Sequence, residues 1–138
     1  MPRARRPEAE QLPRSEKLYV LTRADLSPGM QAAQAVRAAF QFAVDHTELT
    51  ARWVLDSNFL VLLSVLDEDA LLDLADRVAR AGVMNTLVRE PDLADQATAL
   101  AVAPSPVGRL FANLPLLGRD LRPVPEPAVG SRGGRRTG

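Results

Sequence analysis

Three places in the chain hold side chains with chemistry to offer. In "SPGMQAAQAVRAAFQF", residues 27–42, the polar residues are all long, and Gln34, Arg37 and Gln41 recur three and then four positions apart. A helix stacks such positions in one stripe. Arg23 and Asp25 follow the apolar run "KLYVLTR", and Arg89, Glu90, Asp92 and Asp95 follow "MNTLVRE". A carboxylate in such a group can orient or deprotonate water, and an amide or guanidinium can hold an oxyanion or a phosphate. Arginine is permanently charged, so Arg37 suits binding and not proton transfer. For any one of these residues a solvated loop or helix face is the plainer account. The functional signal would be convergence of separated segments on one cleft.

Several chemistries are excluded by what the chain lacks. Cysteine is absent and His46 is the single histidine, so there is no thiolate nucleophile, no multi-histidine metal centre and no serine–histidine triad. "SPGMQ" lacks the glycine spacing and Gly-Lys-Ser/Thr ending of a phosphate-binding loop. No cofactor is implied. No window approaches the roughly 18 apolar residues of a membrane span, and the first residues lack the apolar run of a signal peptide, so a cytoplasmic protein is expected. The net charge of zero is unevenly spread: residues 1–16 hold four Arg against three Glu, residues 17–120 nine basic against thirteen acidic, and residues 121–138 four Arg against one Glu. A nucleic-acid partner would therefore meet a local patch or a tail, since the body as a whole is mildly acidic.

The elements that must position these residues can be read from pattern. The two ends, residues 1–16 and 121–138, combine Pro, Gly and charge with few large apolar residues and are expected to be disordered tails around one domain of residues 17–120. Within it, strands are expected near 17–23, 59–66, 84–90 and 97–103. "FLVLLSVL" is a continuous apolar run, as for a strand covered on both faces. A first helix is expected over 30–45, with Ala33, Val36, Phe40 and Ala43 as its buried side and His46 at its C-terminal end, where it favours the helix dipole. "DEDALLDLADRVARAG" is an amphipathic helix that buries Leu71, Leu72, Leu74, Ala75 and Val78 and stops at Gly82. A short final helix is expected in "SPVGRLFANL", with Ser105 as cap. The alternation predicts an α/β domain with a four-stranded mixed sheet in a three-layer α/β/α arrangement.

On these motifs the chain resembles the type 2 peptidyl-tRNA hydrolases of archaea and eukaryotes, and looks like a divergent bacterial member. The likeness spans about residues 17–117. It rests on "VLTRADL", on a glycine opening the helix "GMQAAQAVRAA", on the charged loop "LVREPDLADQ" and on "TALAVAP" after it. The family pattern at the helix is Gly-Lys-x-Ala-Ala-Gln with a histidine three residues on. Its last segment reads "TVLAIGP".

The resemblance implies hydrolysis of the ester between a peptide and the 3′ end of tRNA, with tRNA as partner, no metal, and a homodimer. It implies Glu90 or Asp92 as the group that orients or deprotonates water, with Gln34 beside it. Arg37, Arg23, Asp25 and Thr98 are the candidates for holding substrate. The chain departs from the family at the site. The family lysine aligns with Met30, its histidine with Arg37 and its loop aspartate with Glu90, and the loop before Thr98 is shorter. A cation at position 30 would stabilise an oxyanion, which methionine does not do. Two further readings stand beside the hydrolase: a degenerate homologue that binds tRNA or a protein without turnover, and a purely structural dimerisation domain.

Overall fold

A computed structural model describes residues 16–119. The expected tails fall outside these residues, apart from Glu16.

The sheet has four strands, β1 (Lys17–Arg23), β2 (Phe59–Val65), β3 (Asn85–Glu90) and β4 (Gln96–Val102), in the order β2-β1-β4-β3. β1 and β2 run parallel, and β4 is antiparallel to both β1 and β3. The sheet is therefore mixed. Helices α1 (Pro28–Asp45) and α2 (Thr47–Asp56) lie between β1 and β2, and α3 (Glu68–Arg80) between β2 and β3. The core is divided by the sheet: Leu21, Leu63, Val65, Leu100 and Val102 pack with Leu71, Leu74 and Val78 of α3 on one face. On the other, Leu18, Val20, Val88, Ala99 and Ala101 pack with Ala35, Ala38 and Phe42 of α1. That is the expected three-layer α/β/α arrangement, with strands within about a residue of their expected ends.

Local chemistry fixes the helix starts. The Ser27 hydroxyl accepts from the Met30 amide while Pro28 opens α1, and the Asp67 carboxylate accepts from the Ala70 amide at the start of α3. Gly82, at φ +73°, supplies the left-handed residue that ends α3.

Four expectations need correction. The buried side of α1 is Gln34, Ala35, Ala38 and Phe42; Val36 is 55% exposed and Phe40 71%. With so many alanines in the helix, the large residues misplace the stripe, because the core side takes the small ones that let α1 approach the sheet closely. β2 is an edge strand whose first residues, Phe59 and Leu60, are exposed, so its apolar run is not covered on both faces. The last element is a 3₁₀ helix, Pro106–Phe111, and the Ser105 hydroxyl donates to the Ala103 carbonyl instead of capping it. α2 has no counterpart among the expected elements; it buries no residue fully and meets the core only through the partly buried Leu49 and Trp53, four positions apart. Beyond the 3₁₀ helix the chain returns along β2, where the Ser64 backbone amide donates to the Pro115 carbonyl and the Leu117 amide to that of Leu62.

Candidate functional site

Gln34 is the centre of the site. Two turns into α1 and almost fully buried, it faces the sheet where β3 ends and β4 begins. Its amide nitrogen donates to Glu90 Oε2 at 2.9 Å, and its Oε1 accepts from the Thr98 hydroxyl at 2.6 Å. A buried amide needs partners on both ends, and Gln34 has them. The Met30 sulfur lies 3.5 Å from the same nitrogen, one turn back on the helix.

Glu90 closes β3 on the α1 face. Arg37 donates from Nη1 to Glu90 Oε2 at 2.8 Å, so this oxygen receives both Gln34 and Arg37. Oε1 accepts from the Asp92 backbone amide at 3.2 Å, which caps the short 3₁₀ turn Pro91–Leu93. The Asp92 amide, the Gln34 amide and the Arg37 charge together hold the Glu90 carboxyl below the usual glutamate range, against a smaller opposing effect of burial. Oε1 keeps a free lone pair. The turn ends in two consecutive left-handed residues, Ala94 at φ +52° and Asp95 at φ +59°.

Thr98 reaches the cluster through a break in alternation. Val88 pairs with Ala99 and Arg89 with Ala97, leaving Thr98 as an extra residue in β4. Such a bulge re-aims a side chain. Ala97 packs toward α3 while the neighbouring Thr98 hydroxyl meets Gln34 on the α1 side. Thr22, which no sequence signal singles out, steadies the bulge by donating to the Thr98 carbonyl at 2.9 Å.

The remaining candidates lie elsewhere. Arg23 is buried and grips Asp25 with two hydrogen bonds, of 2.9 and 2.8 Å, while its Nη1 donates to Gln96 Oε1 and the Ala97 carbonyl. The pairing raises the Arg23 pKa and lowers that of Asp25. This clamp joins the end of β1 to the start of β4, and its guanidinium carries no bond to the Gln34 cluster. The Asp92 side chain is exposed and only its backbone touches Glu90. Gln41 turns away to Asp45, whose other oxygen accepts from Thr86. Among the described residues no three His, Asp or Glu side chains could hold a metal ion together.

The arrangement can therefore hold a polarised carbonyl or phosphate at the exposed part of Arg37 and a water at Glu90. The model of the family Peptidyl-tRNA hydrolase PTH2 matches residues 16–116. The chain belongs to this family. No individual curated protein matches it. The matched span includes every residue of the Gln34 cluster, and membership supports a peptidyl-tRNA hydrolase-like function.

Proposed function

We propose that this chain hydrolyses the ester joining a peptide, or an N-blocked amino acid, to the 3′ end of tRNA. Beside the family, one observation carries the reading. Gln34 and Arg37 of α1, Glu90 of β3 and Thr98 of β4 meet in one hydrogen-bonded cluster despite separations of 53 to 64 positions along the chain. In this reading a water on the free lone pair of Glu90 Oε1 attacks the ester carbonyl. The bond from carbonyl carbon to ribose oxygen breaks, and the water's proton passes to that oxygen. A free peptide carboxyl and a tRNA hydroxyl leave. Glu90, held ionised, is a weak base, so its main part is to orient the water. Arg37, about half exposed, faces the 3′-terminal phosphates or the oxyanion as it forms. Gln34 and Thr98 set the position of the carboxylate. A cytoplasmic setting and a homodimer belong to the same proposal.

The test is single-turnover hydrolysis of an N-acetyl-aminoacyl-tRNA. Glu90→Gln keeps the shape while removing the charge, and its rate should fall by about 10²-fold, the lower end of the range for general-base assistance, with tRNA binding kept. An unchanged rate would remove Glu90 from the mechanism. The degenerate-homologue reading is favoured by one feature, Met30 in the place of the family lysine, and wild-type protein without turnover would establish it over hydrolysis.

A further inference from the structure

A second polar recess lies on the other flank of α1. Its volume is about 200 Å³, and it opens at the carboxyl ends of the parallel strands β1 and β2, between the first turn of α1 and the returning segment at Leu116–Arg119. Open α/β sheets place ligands at this edge, but the argument rests on the side chains there. Ser64 is only 7% exposed and lines the recess. Alternation along β2 puts it on the α1 face, since Leu63 and Val65 pack toward α3. Its hydroxyl makes no hydrogen bond with any described residue and is left open to the recess, free to donate to a ligand.

The other polar groups of the recess fit an anion. Arg119 lines it, is exposed, and its guanidinium has no acidic partner among the described residues. The positive end of α1, an 18-residue helix, points at the same place. In its first turn the Met30 amide is taken by Ser27 Oγ and that of Gln31 by the Ser27 carbonyl. Gly29 does not itself line the recess but sits, exposed, between the lining residues Pro28 and Gln31; its amide has no intrahelical partner, and a side chain there would meet open space. Gln31 spends its amide hydrogens on the Leu26 and Ala24 carbonyls, at 2.7 and 3.4 Å, which partly offsets the negative charge of those two oxygens beside the recess. The nearby Asp25 carboxylate is held by Arg23.

We propose that this recess binds one phosphate group, and that the group is a phosphodiester of the single-stranded 3′ end of the tRNA whose ester the Gln34 cluster handles. The identity of the ligand rests on the proposed function; the phosphate site itself does not. The two places flank the same helix end, about one helix diameter or roughly 10 Å apart. A strand held by its phosphate at Arg119 and Ser64 would lie across the start of α1 and deliver its terminus to Arg37 and Glu90.

Amide NMR shifts of the full chain, titrated separately with inorganic phosphate and with a short single-stranded RNA, test this. Gly29, Ser64 and Arg119 should shift saturably with both, the RNA at lower concentration. Arg119→Ala should weaken RNA binding about tenfold and reduce its salt slope by about one; Arg119→Lys should retain most of the affinity, and Ser64→Ala should weaken the phosphate response without unfolding the protein. Shifts with phosphate alone would overturn the phosphodiester assignment. No shift at these residues with either probe, or equal binding by wild type and the Arg119→Ala/Ser64→Ala protein, would overturn the site. RNA binding here by a protein that hydrolyses no ester would uphold the site while removing the hydrolase reading.

Discussion

Met30 decides how much activity to expect from the Gln34 cluster. Its sulfur sits 3.5 Å from the Gln34 amide nitrogen, so a lysine at this position would place an ammonium within reach of the site's carboxylate and of a developing oxyanion. Arg37 supplies the cluster's own cation, but it is already paired with Glu90. We predict that Met30→Lys raises single-turnover hydrolysis, and that turnover confined to this variant identifies the natural chain as a degenerate hydrolase. Arg37→Ala should act differently. It removes a charge-assisted contact to substrate, discounted for its exposure to about 1.5 kcal/mol, so KM should rise roughly tenfold. A change confined to kcat would show that Arg37 acts on the oxyanion and not in binding.

Among the elements, α1 shows both what the sequence discloses and where it misleads. Its existence and start are legible in Ser27, Pro28 and the alanine run, and the link between its polar stripe and the loop after β3 follows from family motifs. The inward face is not legible, because burial of Gln34 depends on partners more than fifty positions away. The bulge at Thr98 is hidden for the same kind of reason: it exists only in the pairing of β4 with β3. α2 is faint in the sequence because its apolar side is short: Leu49 and Trp53 are its partly buried contacts with the core, no residue is buried completely, and the Trp53 indole donates to the Phe59 carbonyl at 2.9 Å. One residue of α2 is strained in composition. The Thr50 hydroxyl is buried without a hydrogen-bond partner among the described residues, beside the apolar groove of α1. Thr50→Val keeps the shape and removes the orphaned group, so stability should rise by about 1 kcal/mol, read as a higher urea midpoint at unchanged m-value. A lower midpoint would mean that the hydroxyl is satisfied.

For the molecule as a whole, charge and apolar surface make separate predictions. Asp25, Asp45 and Glu90 are each held below their ordinary values of 3.8 for aspartate and 4.5 for glutamate. Their contribution to stability is thus fully present above the unfolded values and is lost as pH falls through the depressed folded ones. The melting temperature should stay level from pH 7 to about 5 and fall below about pH 4, with a shallower fall in Glu90→Gln. The apolar surface concerns assembly. A groove of about 370 Å³ runs between α1, α2 and the start of β2, floored by Leu18, Val20 and Leu62 and walled by Val36, Phe40 and Trp53. Among its lining residues Val36 is 55% exposed, Phe40 71% and Leu60 49%. Monomers rarely leave so much contiguous apolar surface in water, and a patch that carries both a groove and a projecting ring can serve both sides of a two-fold interface. The groove lies on the flank of α1 toward β2, whereas Glu90 and Thr98 lie toward β3 and β4, so pairing here leaves the Gln34 cluster open. We therefore place the proposed homodimer on this face. Sedimentation of wild type at micromolar concentration should give twice the monomer mass, and Phe40→Glu should give a folded monomer, since the ring is mostly exposed within one chain. A wild-type monomer would refute the dimer, and a dimeric Phe40→Glu protein would move the interface to another face.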